Sequence, residues 1–422
     1  MDKLLIKLLI KENQEKILKM SFIERTVELE PNFNYVFVGL RRSGKTFLMY
    51  QQIQNLLKNG HSIEEILFFN FEDDRIDKIE LPDLDLIKRC YEEIYDYAPI
   101  FFLDEIQIVD RWEKFARRLA DNKYRVYITG SNAKMLSGDV ATTLGGRYLI
   151  HDVFPFSFNE YLLAHNIDLA LKNEIYAKYY EIQKLYTKYF YEGGMPELQY
   201  ANDPRGFLSS LYQKIYLGDI CKRHQIRNNG ALNFLIKKMA ESVKQPASYT
   251  RFANLVSSLG TKVSTTTVIE YINHIKDSWL IFSVENYVAK MANKEANKKY
   301  YFVDNGLLNL FLLNADTSLL ENQVAIKLRQ LYGEQVYYLK GKNEIDFYLP
   351  AIQTAIQVSY SIKDFDTRKR EIGALIELSK SNFEIKKYLL ITKEEEEIIT
   401  EQGIEIQVIP VLKWLVDMYQ NL

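Results

Sequence analysis

The chain has almost no cysteine. Cys90 and Cys221 are its only cysteines, and neither belongs to a Cys-x-x-Cys pattern or to a Cys/His spacing. This scarcity excludes a disulfide framework and a structural zinc site as the basis of the fold. The reducing cytosol is the simplest environment for such a chain, so we expect a cytoplasmic protein.

Long hydrophobic runs are also missing. No segment approaches the roughly 20 apolar residues that a membrane-spanning helix needs. The most apolar segment, MDKLLIKLLIKENQEKILKM, is interrupted by Lys3 and Lys7, and no small-residue cleavage site follows it. We interpret residues 1–30 as an N-terminal amphipathic helix, and we expect no association with a membrane.

Neither sign of charge is in excess. The chain contains 54 Lys and Arg against 56 Asp and Glu, which gives a formal net charge of -2. This balance argues against a basic coat for nucleic acid. The length of 422 residues exceeds one ordinary core, so roughly two to four domains are expected.

Residues 31–154 alternate short β-branched and aromatic runs with helical periodicity. The runs are YVFVG, ILFFNFE, PIFFLDE, RVYITGS and RYLIHDV. Such alternation is typical of a parallel sheet with helices on both faces. The fold class predicted for this part is therefore α/β.

The rest of the chain divides into three predicted parts. Residues 155–229 are helical and rich in Tyr, and they predict a helical lid. Residues 230–303 contain two helices of helix-turn-helix size and then two strands, which is the layout of a winged helix. Residues 304–422 mix helices and strands and predict a further α/β domain.

The segment GLRRSGKT, residues 39–46, fits the P-loop pattern GxxxxGK[ST] between a predicted strand and a predicted helix. In this pattern backbone amides surround the phosphates, the lysine reaches the β and γ oxygens, and the hydroxyl ligates Mg²⁺. The segment therefore predicts that ATP and Mg bind here. The residues predicted to hold the nucleotide are Gly39, Arg41, Arg42, Ser43, Gly44, Lys45 and Thr46.

An acidic pair ends the apolar run FFLDE, residues 101–105. Asp104 is predicted to join Thr46 as a magnesium ligand, and Glu105 to orient and deprotonate the attacking water. Two adjacent carboxylates favour hydrolysis over phosphoryl transfer to a small molecule. The pair therefore predicts an ATPase in which Lys45 and Glu105 are catalytic.

Two further candidates follow the acidic pair. The strand ending YITGSN places Ser131 and Asn132 where a side chain detects the γ-phosphate, although both residues also suit a simple turn. Arg147, in TTLGGRY, is predicted to neutralise transition-state charge, in its own subunit or in a neighbouring one. A surface salt bridge is the alternative for Arg147.

Several motifs together resemble one family. GLRRSGKT, FFLDEIQIVDRWE, YITGSNAKML, LGGRY, FPFSFNEYL and EGGMPE are similar to motifs of prokaryotic AAA-type P-loop ATPases with a C-terminal domain of unknown function, DUF4143. The resemblance covers nearly the whole chain. It implies an ATPase core, a winged-helix unit and a C-terminal restriction-endonuclease-like (PD-(D/E)XK) fold, and it implies no established substrate.

A nuclease of the resembled class needs a helix carboxylate, a strand aspartate and, one strand later, a Glu or Gln followed two residues on by a Lys. The residues that match are Glu321, Asp346 and Gln357. Ser359 stands in place of the lysine, so we expect a degenerate nuclease pocket kept for docking or regulation, and nuclease activity is not expected. Lys340 or Lys342 is the alternative source of the missing cation.

Contact with DNA is predicted only through the wing. The second helix of the helix-turn-helix pair carries Glu270 and Asp277, which phosphates would repel, so it is not expected to read bases. Wing lysines would bind a DNA backbone without reading sequence. They are Lys290, Lys294, Lys298 and Lys299.

These features predict a Mg-dependent, ATP-binding and ATP-hydrolysing regulatory switch. Its later domains are expected to dock a protein partner or another copy of the chain. One alternative is an ATP-dependent DNA-binding or DNA-processing protein. Another is a nucleotide-loaded scaffold that does not hydrolyse ATP.

Overall fold

Two compact units are present in the computed structural model. Unit 1 comprises Met1–Phe154 and Asp277–Trp279, and unit 2 comprises Pro155–Lys276 and Leu280–Leu422. The structure describes residues 2–131, 138–169, 177–258, 262–289, 297–341 and 343–416.

The sheet of unit 1 is entirely parallel. Its strands are β1 (Asn34–Val38), β2 (Ile66–Asn70), β3 (Ile100–Asp104), β4 (Val126–Gly130) and β5 (Tyr148–Asp152). Their order across the sheet is β2-β3-β4-β1-β5. Because parallel strands share one carboxyl edge, the segments that follow β1, β3 and β4 meet at that edge.

Helices cover both faces of this sheet. They are α1 (Lys3–Lys19), α2 (Lys45–Lys58), α3 (Leu81–Glu92), α4 (Trp112–Asp121) and α5 (Gly138–Leu144). Alternate residues of β2 enter different cores: Leu67 packs in the core that includes α3 and α4, and Phe68 in the core that includes α2. Both faces of each inner strand are therefore buried, which explains the continuous apolar runs in the sequence.

The first helix is part of the core of unit 1. Its N-cap is Asp2, whose side chain accepts a hydrogen bond from the backbone amide of Leu4. Ile6 and Leu9 are buried, whereas Leu4 is exposed. No helix within the described ranges combines the length and the apolar character that crossing a membrane requires.

Helices dominate the first half of unit 2. The described helices of this unit are α6 (Phe158–Ala164), α7 (Tyr179–Glu192), α8 (Pro204–Lys214), α9 (Asn229–Glu241), α10 (Tyr249–Ser257), α11 (Thr265–Asp277), α12 (Asn305–Asn309), α13 (Asp316–Tyr332), α14 (Phe365–Ser379) and α15 (Val411–Leu415). A π-helical segment, Ile215–Lys222, continues α8.

Unit 2 also has one mixed sheet. Its described strands are β6 (Ala247–Ser248), β7 (Ile281–Asn286), β8 (Asn297–Phe302), β9 (Tyr337–Lys340), β10 (Glu344–Leu349), β11 (Thr354–Val358), β12 (Lys387–Thr392), β13 (Glu397–Glu401) and β14 (Ile404–Pro410). The order is β13-β14-β12-β11-β10-β9-β7-β8-β6. Residues of α14 pack on the strands of the later part in a hydrophobic core that includes Leu375 and Leu390.

This sheet continues across the boundary predicted between residues 303 and 304. Strands β7 and β9 pair in parallel, with Glu285 opposite Tyr337 and Asn286 opposite Tyr338. The strands expected for a wing therefore share one sheet with the strands expected for the last domain. The winged-helix and restriction-endonuclease-like identifications stay predictions.

Candidate functional site

The loop after β1 turns sharply into α2. A Cβ atom at Gly39 would lie 2.2 Å from the backbone oxygen of Val153, so only glycine fits there. Gly44, the N-cap of α2, has a φ of 99°, in the left-handed region that favours glycine. The loop and the N-terminus of α2 thus lie at the carboxyl edge of the sheet in the arrangement that binds phosphate.

Lys45 begins α2, and its side chain is buried. Its Nζ donates hydrogen bonds to the backbone oxygens of Gly39 (3.2 Å) and Leu40 (3.0 Å) and lies 3.7 Å from Oε1 of Glu105. Burial lowers the pKa of Lys45, although the Glu105 and Asp104 carboxylates oppose this effect. A phosphate group beside Nζ would stabilise the ammonium further, because an opposite charge favours the charged form.

Thr46 and Asp104, the two predicted magnesium ligands, are in direct contact. The Thr46 hydroxyl lies 3.0 Å from each carboxylate oxygen of Asp104, and Thr129 donates a hydrogen bond of 2.6 Å to Oδ1. Asp104 ends β3 and is 2% exposed. A hydroxyl and a carboxylate are the hard oxygen ligands that Mg²⁺ prefers, so this pair fits the ion.

The ionisation of Asp104 predicts how magnesium binding depends on pH. Burial raises the pKa of Asp104 to about 6, and Glu105 adds to the rise, against the hydrogen bonds from Thr129 and Thr46. Above pH 6 the carboxylate is charged and can ligate a cation, whereas below it a proton competes. We therefore expect the apparent affinity for Mg²⁺ in the presence of ATP to fall up to about tenfold per pH unit below this pKa.

Titration of a fluorescent ATP analogue with Mg²⁺ between pH 5 and pH 8 checks this expectation. Excess Mg²⁺ should restore tight binding at low pH. Asp104→Asn, which has no proton to lose in this range, should bind Mg²⁺ weakly at every pH. Equal magnesium dependence of the wild type at pH 5 and pH 7 would contradict the role of Asp104.

Glu105 is held beside the lysine by several contacts. Its backbone is left-handed (φ 57°), and its amide donates to the Thr129 hydroxyl at 2.8 Å. Its Oε2 accepts hydrogen bonds from the Gln107 amide (2.5 Å) and from the backbone amide of Ser131 (3.3 Å). Burial alone would raise the pKa of Glu105, but Lys45 and these hydrogen bonds lower it below its ordinary value. The carboxylate is therefore charged near neutral pH, as a general base requires.

Arg25 supports the phosphate loop, and the sequence contained no motif that pointed to it. Its guanidinium donates to the backbone oxygens of Ser43 (3.0 Å) and Phe154 (2.8 Å), and its backbone amide donates to Gln51. Arg25 is itself buried. It therefore ties the loop to the segment that follows β5. Gln107 was also missed, although it stands two residues after the acidic pair.

The remaining nucleotide candidates lie in different surroundings. Nη1 of Arg41 is 3.6 Å from a carboxylate oxygen of Glu72, and Arg42 has a φ of 65°. Ser43 is buried. Asn132, the alternative to Ser131 as the γ-phosphate detector, lies outside the described residues.

Arg147 is remote from the phosphate loop of its own chain. It precedes β5, and its backbone oxygen accepts a hydrogen bond from Asn34 at the start of β1. A five-residue strand, about 16 Å long, separates this edge from the phosphate loop. Its Nε lies 2.5 Å from Oδ1 of Asp121. A role of Arg147 on a neighbouring subunit stays a prediction.

In unit 2, the predicted nuclease-type residues line one cleft of about 640 Å³. Glu321 comes from α13, Asp346 from β10 and Gln357 from β11. Oε1 of Gln357 accepts a hydrogen bond of 2.8 Å from the backbone amide of Asp346. Ser359 lines the same cleft, and its hydroxyl donates to the backbone oxygen of Ser361. The fold therefore brings together residues that are distant in the sequence.

A lysine from an unexpected strand contacts carboxylates that line this cleft. Lys299, in β8, has a side chain with no exposed surface. Its Nζ lies 2.9 Å from Oδ1 of Asp346, 3.0 Å from Oε1 of Glu344 and 3.3 Å from Oε1 of Glu321. Burial lowers the pKa of Lys299, but Asp346 and Glu321 outweigh burial and hold it well above its ordinary value. Lys299 is therefore a cation in contact with three carboxylates.

The two lysines expected to replace the missing cation are placed differently. Lys340 is half exposed, and its Nζ lies 3.4 Å from Oε2 of Glu344. Lys342 lies outside the described residues. The contact with Asp346 is made instead by Lys299, which was predicted for the wing and not for this pocket.

The prediction that Lys298 and Lys299 bind a DNA backbone is wrong. Strand β8 pairs with β7 on one side and β6 on the other, and its residues after Asn297 are buried. Lys298 is 7% exposed and pairs with Glu285 at 2.9 Å, and Lys299 is fully buried. The other two wing lysines, Lys290 and Lys294, lie outside the described residues.

Comparison with known families supports the assignment of the first domain. The family model of an AAA domain matches residues 32–162. The model of a domain of unknown function, DUF8612, matches residues 183–318. The resemblance to proteins with DUF4143 is therefore corrected: the domain that matches after the AAA domain is DUF8612.

Solved structures show only distant similarity. The Walker-type ATPase PABY2304 of Pyrococcus abyssi is 15% identical, with a TM-score of 0.38 over 72% of this chain and 95% of that chain. Cdc6p of Pyrobaculum aerophilum is 12% identical, with a TM-score of 0.26 over 75% of this chain and 93% of that chain. Similarity at this level carries no argument about function.

Full-length relatives are much closer. The uncharacterized protein MJ1544 of Methanocaldococcus jannaschii is 32% identical over 98% of this chain and 95% of its own length. An uncharacterized protein of Haemophilus influenzae is 31% identical over 94% of this chain and 98% of its own length. The chain therefore belongs to the same family as these two proteins, and it carries a nucleotide-binding domain of the AAA ATPase type.

Proposed function

We propose that this protein binds ATP with Mg²⁺, hydrolyses it slowly and acts as a nucleotide-dependent regulatory switch in the cytoplasm. The observation that carries the proposal is the convergence of Lys45, Asp104 and Glu105 at one edge of the sheet. Lys45 lies 3.7 Å from Glu105, and Thr46 is 3.0 Å from Asp104. These contacts support a site that combines a phosphate-binding cation, a metal-binding pair and a general base.

Each residue then has one proposed role. Lys45 holds the β and γ oxygens of ATP and neutralises charge that develops on them. Thr46 and Asp104 hold Mg²⁺, which supplies additional positive charge at the phosphates when bound. Glu105 takes a proton from the attacking water, and Ser131 holds the Glu105 carboxylate through its backbone amide.

The regulatory part of the proposal concerns what unit 2 binds. Unit 2 has its own sheet, its own hydrophobic core and an open cleft. Such a unit is suited to dock a protein partner or another copy of the chain. We propose that the nucleotide state controls this docking.

Turnover of ATP by the purified protein tests the primary proposal. Release of phosphate should require Mg²⁺ and should be slow, in the absence of any partner. Adding double-stranded DNA at low and high salt separates the alternatives, because stimulation that fades with salt indicates backbone contact. Tight ATP binding without turnover would contradict the proposed regulatory switch and would favour a scaffold that does not hydrolyse ATP.

A second candidate function is metal-assisted cleavage of phosphodiester bonds at the cleft of unit 2. The observation that favours it is Lys299, since a cation in contact with Asp346 and Glu321 supplies what Ser359 lacks. Glu321 and Asp346 are the residues that would hold a divalent cation, which supplies Lewis acidity when bound. Lys299 would supply positive charge beside these two carboxylates.

Cleavage assays on single-stranded and double-stranded DNA and on RNA, under Mg²⁺ and Mn²⁺, test the second candidate. The wild type should cleave, Asp346→Asn should be inactive, and Ser359→Ala should behave as the wild type, because its hydroxyl donates to the backbone oxygen of Ser361. Absence of cleavage by the wild type, with ATP or without it, would leave the cleft a docking site.

A further inference from the structure

Gln107 lies beside the base of the ATPase site. It belongs to the short 3-10 turn Ile106–Ile108, directly after β3 and the acidic pair. Its side-chain amide donates a hydrogen bond of 2.5 Å to Oε2 of Glu105 and approaches the Ser131 hydroxyl at 3.5 Å. The side-chain nitrogen of Gln107 therefore already donates a hydrogen bond within the protein.

The oxygen of the same amide is different. Oε1 of Gln107 is buried, and it accepts no hydrogen bond from any group in the described ranges. A buried acceptor without a donor costs free energy, so such atoms normally contact a ligand or a water. This oxygen therefore indicates that a small hydrogen-bond donor, such as a water, belongs beside Gln107.

Simple geometry limits where that donor sits. The nitrogen and oxygen of one amide are about 2.3 Å apart, given the standard C=O and C–N bond lengths. Since the nitrogen is 2.5 Å from Oε2 of Glu105, the free oxygen lies within about 5 Å of that carboxylate. One water at ordinary hydrogen-bond distances of about 2.8 Å spans two acceptors at such a separation.

A water held by these two acceptors is oriented for attack. It donates one hydrogen to Glu105 and the other to Oε1 of Gln107, so both of its lone pairs are free and one of them can attack. Lys45, which is proposed to hold the terminal phosphate, lies 3.7 Å from the other carboxylate oxygen of Glu105. Because Lys45 and this water contact the two oxygens of one carboxylate, a terminal phosphate held by Lys45 would lie close to the water.

We propose that Gln107 is the residue that positions the nucleophilic water of this ATPase. The inference rests on the proposed hydrolysis of ATP and assigns one further residue to it. The water oxygen forms a bond to the γ-phosphorus, and the bond from this phosphorus to the oxygen of the ADP leaving group breaks. One proton of the water moves to Glu105. The other stays on the new hydroxyl group of the phosphate, which donates a hydrogen bond to Oε1 of Gln107. The products are ADP and phosphate.

The experiment compares Gln107→Leu with the wild type. Leucine has a similar volume and neither amide atom, so the variant should lower kcat about 100-fold, as expected for a lost water-positioning contact. KM for ATP should change less than about threefold, because Gln107 is not proposed to contact ATP. Gln54→Leu is the matched control, since Gln54 is half-buried on α2 and its amide donates to the backbone oxygen of Met20.

Phosphate analogues separate water positioning from simple support of Glu105. ADP with beryllium fluoride imitates bound ATP, and ADP with aluminium fluoride imitates the transition state with its attacking water. Gln107→Leu should bind the first complex as the wild type does and should lose most of its affinity for the second. The double variant with Glu105→Gln should be no slower than Glu105→Gln alone, because both residues act on one water.

The outcomes distinguish this inference from the function on which it rests. A wild type that does not hydrolyse ATP overturns the proposed function. A wild type that hydrolyses ATP while Gln107→Leu keeps its kcat overturns the inference. Equal weakening of both analogue complexes, or a faster Gln107→Leu enzyme, also overturns it, because Gln107 then supports the nucleotide site or restrains Glu105.

Discussion

Glu105→Gln should leave ATP bound but slow its hydrolysis by about 10²- to 10⁴-fold, the range for loss of a general base. Glutamine has nearly the same shape, so the neighbouring hydrogen-bond partners Gln107 and Ser131 can remain in place. The variant loses the proton acceptor and the negative charge that faces Lys45. Single-turnover hydrolysis and equilibrium binding of a labelled ATP measure the two effects separately.

Lys45→Ala should weaken ATP binding by at least about 10- to 100-fold. The lysine is a ground-state contact to the phosphates, and a hydrogen bond to a charged group of this kind corresponds to about 10- to 100-fold in affinity. The variant also removes the cation that lies 3.7 Å from Glu105. Thermal unfolding of both variants controls for loss of the fold.

The comparison of these two variants decides the assigned roles. If both lose ATP binding equally, Glu105 is part of the binding site and not the base. If both bind ATP and hydrolyse it, neither residue has its proposed role. Thr187→Ala is a suitable control, because Thr187 is an exposed residue of α7 in unit 2 whose hydroxyl donates to a backbone oxygen one turn earlier.

Lys299→Met should strongly destabilise unit 2. The substitution leaves Glu321, Glu344 and Asp346 around an apolar group, without the cation that contacts all three. Removal of one partner from a buried ion pair typically costs about 3–5 kcal/mol in the free energy of unfolding. The shift of the urea unfolding transition at pH 7.5 measures this loss.

The neighbouring lysine of the same strand is the matched control. Lys298 pairs with Glu285, a residue that is about one-third exposed. Lys298→Met should have a much smaller effect than Lys299→Met, because it leaves one carboxylate that water can reach rather than three around a buried group. If Lys298→Met lowered the free energy of unfolding as much as Lys299→Met does, the loss would not depend on the three carboxylates around Lys299.

Lowering the pH should reduce the difference between Lys299→Met and the wild type. Burial raises the pKa of Glu321 to about 7, so the folded protein binds a proton there more tightly than the unfolded chain does. This carboxylate therefore destabilises the fold as pH rises toward 7, and removal of Lys299 makes the effect larger. At pH 5 protonation removes much of the uncompensated charge, and an undiminished difference there would contradict the electrostatic explanation.

The geometry of the candidate phosphate site was largely predictable because its requirements are local. GLRRSGKT combines two glycines, a lysine and a hydroxyl within eight residues, and both glycines meet steric demands that a side chain would violate. Asp104 and Glu105 follow an apolar strand, and a parallel sheet brings the ends of its strands to one edge. Arg25 could not be predicted in this way, because its contact with Ser43 depends on the path of a segment without regular structure.

Alternating apolar runs also determined that the first part of the chain is a parallel α/β domain, since a buried strand leaves that pattern wherever it occurs. Lys299 shows what such patterns could not determine. In the sequence it belongs to a basic segment and resembles a solvent-exposed wing residue. The pairing of β7 with β9 places it in a sheet with β10, where its charge meets Asp346. Strand order between distant segments is set by the packing of the whole unit, so only the tertiary structure revealed the partners of this lysine.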